Sequence, residues 1–391
     1  MTSMCIHHCI RLTLLFACLV PTLLLSGTVH GEDAATHTAG ETTPDPTAAL
    51  IQAAIDDGQM AGAVVMMSQQ GKLVYSTAIG DAQVEPQRRP MRLDTVFDLA
   101  SLTKPVATAT SIMNLVDQDK LELDTKIASL FPEFGEHGKQ DITVADLLLH
   151  RGGLIADNAL RDYGNDQQNN WANICRLKPL AEPGERFIYS DVGFIVLGKV
   201  VEKVSGQPLD QFVRQNLYAP LQMTETMYTP SASLRARAAA TEKQGDQWLV
   251  GRVHDPRAAR MNGVAGHAGL FSTAADLIRF GEAFCNGGAT DDARILGTET
   301  VAMMTQPREV PGGQRAFGWD VRSRYSSNRP EGFSEAAFGH GGFTGTVLWI
   351  DPQQEVVFVF LSNRLHPDGK GSVNKLAAQV ADQLLERFVQ P

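Results

Sequence analysis

Cysteine is scarce in this chain. Five occur in 391 residues, and Cys5, Cys9 and Cys18 sit near the start, leaving Cys175 and Cys285 for the remainder. That excludes a disulfide scaffold, and neither spacing forms a metal knuckle. The two later cysteines could form one disulfide in an oxidising compartment or remain two buried free thiols, and spacing does not choose between them. A basic surplus is also missing. Thirty-four Lys and Arg face 44 Asp and Glu, for a formal charge of −10, so there is no general cationic surface for nucleic acid. The acidity reads as solubility. No H-E-x-x-H, P-loop, complete G-x-G-x-x-G or G-x-S-x-G occurs, which removes the sequence basis for a zincin, a nucleotide site or an α/β-hydrolase elbow. The expectation is no metal and no cofactor. A solenoid-type repeat is absent too.

Long apolar runs are nearly absent. The stretch from Leu12 to Leu25 follows Arg11, is interrupted by Pro21 and is short for a membrane span. Small residues follow it, and Val29 and Gly31 suit the −3 and −1 positions of a cleavage site before Glu32. Residues 1–31 therefore read as a signal peptide, and the mature protein as exported to a periplasmic or extracellular space. Peripheral membrane association is expected only if that segment stays uncleaved. Residues 32–45, rich in Ala, Thr, Glu and Pro, read as a disordered linker. The rest, in a chain 43% hydrophobic and 20% charged, is ordinary globular sequence that can bury a large core.

Periodicity divides the remainder into strands at both ends and helices between. Ala48 to Ile55 has helical spacing and ends near Gly58. Ala63–Met67 and Leu73–Ser76 flank Gly71 as a β-hairpin. A helix begins at Ser101 and continues through Val116. Thr143 is a good N-cap for Val144 to Leu149, with Gly152-Gly153 as the stop. Residues 157–172 are polar and read as a loop or short irregular helix. Helices follow after Tyr189, over Pro208–Leu217 and over Ala274–Phe284. Thr346–Ile350 and Val356–Leu361 surround the turn Asp351-Pro352, and an amphipathic helix spans Val373–Phe388. The pattern predicts an α+β fold: an antiparallel sheet assembled from both chain ends, flanked by helices, with a helical subdomain inserted between them.

The chemistry centres on Ser101-Leu102-Thr103-Lys104. Residues three apart share one helix face, so a neutral lysine there can take a proton from the serine hydroxyl. A bare S-x-x-K is a weak signal, and Ser372-Val373-Asn374-Lys375 is a second one, read as an N-cap serine with a solvated lysine. Company separates them. Tyr189-Ser190-Asp191 follows the turn Glu182–Glu185 and opens an apolar helix, where a phenol can move a proton to and from a leaving group. His340-Gly341-Gly342 precedes the final strand pair, and its glycines allow close approach of a substrate backbone. Tyr163-Gly164-Asn165 reads as a polar turn. His254-Asp255 has no triad partner, and His267 reads as a loop residue.

These elements, in this order, resemble the serine hydrolases of the β-lactamase and penicillin-binding-protein superfamily, and especially its class C β-lactamase-like members: D-Ala-D-Ala carboxypeptidases, D-aminopeptidases and family VIII esterases. Asp141–Leu154, Gly184–Asp191 and Gly266–Ala274 also resemble that family. The resemblance covers about residues 46–389 and implies a β-lactamase/transpeptidase-like fold, with a helical subdomain over roughly 105–235. It implies Ser101 as nucleophile, Lys104 as its partner base and Tyr189 as the catalytic tyrosine. Asp191 stands where asparagine is common, His340 where β-lactamases have lysine, and Gly342 and Phe343 complete the binding edge. The N–H groups of Ser101 and Phe343 are implied as the oxyanion hole. Asp191 brings a possible negative charge, and His340 replaces a permanent cation with a group near its titration point at neutral pH; both point away from a dedicated β-lactamase. The expected substrate is a D-alanyl peptide related to peptidoglycan. Small carboxylic esters, or binding of peptidoglycan or a partner without catalysis, are the alternatives.

One demand is quantitative. Bringing a lysine from about 10.4 to near 7 takes roughly 4–5 kcal/mol. A helix N-terminus supplies about 0.3–1 kcal/mol, so burial of Lys104 has to provide most of the shift. Otherwise Lys104 stays charged and Tyr189 is the base.

Overall fold

Both faces of the central sheet are buried, and the reason is visible in its strands. Val356–Ser362 and Thr346–Asp351 are buried throughout, and Gly62–Gln69 is buried at every position but its last. Alternate residues divide between two cores. Ala63, Val65, Met67, Val347, Trp349, Phe358 and Phe360 point to one, while Val64, Met66, Leu348, Ile350, Val357 and Val359 point to the other. A strand buried on both faces needs a continuous apolar run, since its side chains alternate sides. The computed structural model describes residues 45–389. The signal peptide expected over 1–31 and residues 32–44 of the expected linker lie outside the described residues.

The sheet has nine strands, with Gly62–Gln69 beside Val356–Ser362 in the middle, so the two ends of the domain pair directly. Lys72–Gln83 and Arg89–Pro90 extend it on one side. On the other side come Thr346–Asp351, Phe338–Gly342, Asp320–Arg322, Gly313–Arg315 and Arg308–Val310, every neighbour antiparallel. The first hairpin turns at Gln70 and Gly71, both at positive φ. The helices Pro46–Asp56 and Asn374–Phe388 cover one face. Ala274–Cys285 packs on the other, contributing Leu277, Phe280 and Phe284 to the larger core. Asp45 caps the first helix through Thr47 N (3.2 Å) and accepts from the Tyr75 hydroxyl at 2.7 Å, so the last residue assigned to the linker belongs to the folded body.

Between the sheet's two halves lies the helical part. Val144–Leu148 starts in a capping box between Thr143 and Asp146, and Asp191–Ser205 starts at Ser190 and stops at Gly206. Three differences from the sequence reading stand out. Residues 157–172 include a short 3₁₀ turn, and a regular helix, Gln167–Cys175, begins within them. His340-Gly341-Gly342 is itself a sheet strand, because it pairs with Thr346–Leu348. A separate three-stranded sheet joins Phe97–Asp98, Leu270–Ser272 and Met227–Tyr228, segments too short for any periodic signal. Cys175 and Cys285 are free, and burial pushes both thiols up to about 12. No helix among the described residues is long and apolar enough to cross a membrane.

Candidate active site

Ser101 stands on a constrained turn, and the constraint comes from three sides. Ala100, just before it, has φ 45°, a left-handed conformation that costs a non-glycine residue about 1 kcal/mol or more. Asp98 holds this bend: its carboxylate accepts from Ala100 N at 2.9 Å and His254 N at 2.6 Å. The strand edge clamps it through Thr344 Oγ1 to Asp98 O (2.7 Å) and Thr346 Oγ1 to Leu99 O (3.0 Å). Gly342 has to be glycine for this contact, since a Cβ there would lie 2.1 Å from Thr346 Oγ1 and 2.4 Å from Leu99 O. Ser101 lies in a 3₁₀ turn, Ala100–Leu102, and Lys104 opens a π-helical turn, Lys104–Ala109, before α-helix resumes at Thr110. The regular helix expected from Ser101 is thus replaced by two unusual turns. The Thr110 hydroxyl donates to Pro105 O (2.7 Å) within this region.

Lys104 is fully buried, as the energetics required, yet its pKa moves the other way. Burial alone would depress it. Asp191, with Oδ1 2.6 Å from Nζ, outweighs that effect together with Tyr189 and holds the ammonium protonated above the ordinary lysine range. Nζ donates to Ser101 Oγ at 3.0 Å and to His267 O at 3.1 Å, and lies 4.9 Å from the Tyr189 ring centroid. Burial raises the Tyr189 phenol, while Lys104 and Ser101 act in the opposite sense. In the resting site, therefore, lysine is charged, phenol neutral and Asp191 ion-paired. A serine hydroxyl, an ammonium and a phenol within one another's reach can form and break an acyl bond, the phenol moving protons and the ammonium steadying its charge.

Fragments that carried only a resemblance now have physical roles. His267 O receives Lys104, Gly266 O receives Thr108 Oγ1 (2.7 Å), and Leu270 N donates to Thr103 Oγ1 (3.1 Å). His150 stacks on Tyr189 with ring centroids 4.4 Å apart, and its Nδ1 accepts from Ser190 N at 3.0 Å. His254 and His267, read as bystanders, thus serve the site through their backbones. Asp191, Asp255 and His267 offer ligand atoms within 4.8 Å of one another. Asp191 is already paired with Lys104, and Asp255 with His267 Nε2 at 3.0 Å.

Ser101 opens into a cavity of about 330 Å³ that is also lined by Tyr189, His340, Gly342 and Phe343, so five of the seven expected residues share one wall. Lys104 and Asp191 lie behind it. His340 departs from expectation. Burial, then Arg315 and Lys104, push its pKa well below the usual histidine value, leaving it neutral and not near titration. Ser372 is no helix cap, because the last helix starts after Val373 without a side-chain cap. Ser372 and Asn374 instead line the cavity, with Arg315, Asp320, Tyr325, Asn328 and Arg364. Apart from Ser372 and Asn374, which belong to the second S-x-x-K, none of these carried a motif. Tyr163, by contrast, is buried and bonded to Asn158 Oδ1 (2.6 Å), in keeping with a structural turn.

Fold and site together define a serine hydrolase built on an antiparallel sheet with an inserted helical region. The chain belongs to the family described as Beta-lactamase, which matches residues 47–383. It is 33% identical over 339 residues to an Escherichia coli (strain K12) protein provisionally named a D-alanyl-D-alanine carboxypeptidase, covering 77% of this chain and 78% of that one. It is 32% identical to the N-acetylmuramyl-L-alanine amidase of Bacillus subtilis (strain 168), covering 78% and 77%. Its fold is similar to a class C beta-lactamase, with a TM-score of 0.72 at 18% identity over 88% of this chain and 96% of that one. A family VIII carboxylesterase gives a TM-score of 0.68 at 23% identity, over 87% and 98%.

Proposed function

We propose that this protein is exported and hydrolyses D-alanyl peptide bonds in peptides related to peptidoglycan, through an acyl-enzyme on Ser101. The observation that carries the reading is the 3.0 Å contact between Lys104 Nζ and Ser101 Oγ at the cavity wall, with Tyr189 beside both. The name of the Escherichia coli relative supports a D-alanyl substrate, and that of the Bacillus subtilis relative supports an amide bond in muramyl peptides more broadly. Export rests on the sequence pattern of residues 1–31.

The resting charges dictate the first step. Asp191, 2.6 Å away, holds Lys104 as an ammonium, so the amine is not the base and the proton path runs through Tyr189. The Tyr189 oxygen takes the Ser101 proton while Oγ attacks the acyl carbon, and the Lys104 charge steadies the phenolate character Tyr189 acquires as its own proton leaves. Tyr189 passes a proton to the departing nitrogen, and water later releases the acyl group by the reverse sequence. The N–H groups of Ser101 and Phe343 serve as the oxyanion hole.

A fluorophosphonate should label Ser101, read by peptide mass mapping. Ser101→Ala should lose about 10³-fold or more of kcat/KM on an acyl-D-alanyl-D-alanine peptide, with an unchanged melting curve. Full turnover by Ser101→Ala would refute the mechanism. Short esters are a second reading, favoured by the exposed Phe343 ring on the cavity wall. Rates on a p-nitrophenyl ester and on the peptide, measured side by side, choose between them.

A further inference from the structure

We infer that His150 is a positioning residue that fixes the place of the Tyr189 phenol, through its ring and through the N–H groups on either side of that tyrosine. This rests on the reading of Tyr189 as the group that takes the Ser101 proton, and adds to it a residue that touches no reacting atom.

The need comes from the local backbone. Tyr189 precedes the helix Asp191–Ser205 and its cap Ser190, whose backbone is extended (φ −126°, ψ 114°). It lies in neither helix nor strand, so no regular ladder of bonds holds it. One residue of another segment supplies the bonds instead. Ile188 N donates to His150 O at 2.9 Å, and Ser190 N donates to His150 Nδ1 at 3.0 Å. The main chain and side chain of His150 thus bracket Tyr189 from both sides.

The ring completes the hold. It stacks on Tyr189 with centroids 4.4 Å apart and planes 30° from parallel. His150 is itself buried, with the Phe194 and Phe187 rings 4.9 and 6.1 Å away, which fixes the platform. Its backbone has φ 55°, a left-handed conformation uncommon outside glycine. Such an outlier, kept beside a reacting group, points to a role in holding that group.

The tautomer agrees. A backbone N–H only donates, so Nδ1 carries a lone pair and the proton sits on Nε2. A charged imidazole would carry protons on both nitrogens and lose the Ser190 bond. Burial, then Arg315, Lys104 and His340, push the His150 pKa well below the usual histidine value, so the acceptor is kept. Other bonds tie the same segment down: Ser190 Oγ donates to Ile155 O at 2.7 Å, and Asp191 N to Ala156 O at 2.9 Å. Loss of the His150 ring should therefore loosen the phenol without detaching the segment.

The test is a double-mutant cycle on the full chain, below the melting temperature of each variant. It reads kcat and KM on whichever of the acyl-D-alanyl-D-alanine peptide and the p-nitrophenyl ester the wild type turns over. His150→Asn suits it, because Asn tolerates the left-handed backbone and keeps an acceptor on Cγ while removing the ring. Its kcat should fall at least about tenfold, with KM within about twofold, since a small displacement of a reacting group suffices. In a Tyr189→Phe background the same change should leave the residual kcat unaltered, because His150 acts only through the phenol. His150→Phe, which keeps the ring and loses the acceptor, carries the same cycle if His150→Asn does not fold. Wild-type kcat in the His150 variant, or an equal loss in both backgrounds, overturns the inference. Full turnover by Tyr189→Phe, with Ser101 still labelled by a fluorophosphonate, overturns the reading of Tyr189 as the base and this inference with it.

Discussion

Asp191 decides the protonation of the site. Because burial is the largest influence on Lys104 and acts to lower its pKa, the raised value depends on the carboxylate. In the proposed mechanism Lys104 stays charged, so the wild-type rate should be flat around neutrality. Asp191→Asn removes the partner charge and frees burial to pull Lys104 below its ordinary value of about 10.4. The variant's kcat/KM should therefore fall as pH rises above neutrality, where the wild type's stays level. A profile as flat as the wild type's would exclude Asp191 as the group that keeps Lys104 charged. For stability the sign is the reverse. A raised folded-state lysine stabilises fully below its unfolded value and stops doing so as pH climbs through the folded one, so this contribution persists at neutral pH and disappears only in strong alkali.

At the scale of elements, the site exists because a strand edge presses on a bent turn. Gly342→Ala should separate them: its methyl would meet Thr346 Oγ1 and Leu99 O, at a cost of about 1–3 kcal/mol. Activity should fall by at least about tenfold, since a small displacement at Ser101 suffices for that. Wild-type kcat/KM in a variant with a lowered melting temperature would show that the clamp is structural only. Thr143→Ala is a contrasting case. It removes a capping box and should cost about 1 kcal/mol, read from denaturant midpoints, with kcat/KM unaltered once the protein is folded.

The folded domain is closed by pairing its first long strand with its last. Leu384, fully buried on the last helix, packs in the core shared with the first helix and the sheet. Leu384→Ala should cost about 2–5 kcal/mol and shift the unfolding of the entire domain, so that loss of activity and loss of ellipticity coincide. A second tie is His366, whose Nε2 accepts from Val84 N at 2.8 Å. Burial, then Arg89 and Lys243, push its pKa down to about 4 against the opposing effect of Glu85. A depressed folded-state histidine stabilises fully above its unfolded value of about 6.5 and progressively less as pH falls toward 4. Melting temperature should therefore decline over that window, and less steeply in His366→Gln. Equal slopes would remove His366 from the account.

The periodic elements were legible from residues alone. The runs at Ala63–Met67, Thr346–Ile350 and Val356–Leu361, the cap Thr143, and the final amphipathic helix all follow from alternation, helical spacing or cap chemistry, which are local properties. Ser101, Tyr189, His340, Gly342 and Phe343 could be grouped into one site from their motifs, because those motifs resemble a family's. Their charges could not be read that way. Whether Lys104 is an amine or an ammonium depends on Asp191, and whether His340 is a cation or a neutral ring depends on its burial and on Arg315. The small sheet around Phe97–Asp98 and the cavity residues Arg315 and Asn328 likewise left no local pattern, and the S-x-x-K at Ser372 pointed to a helix cap and not to the cavity. Sequence by itself determined the alternation of strands and helices and the order of the reacting groups, because those are written in neighbouring residues. Tertiary structure alone decided which groups carry protons and which face the substrate, because burial and charge pairing act between residues distant along the chain.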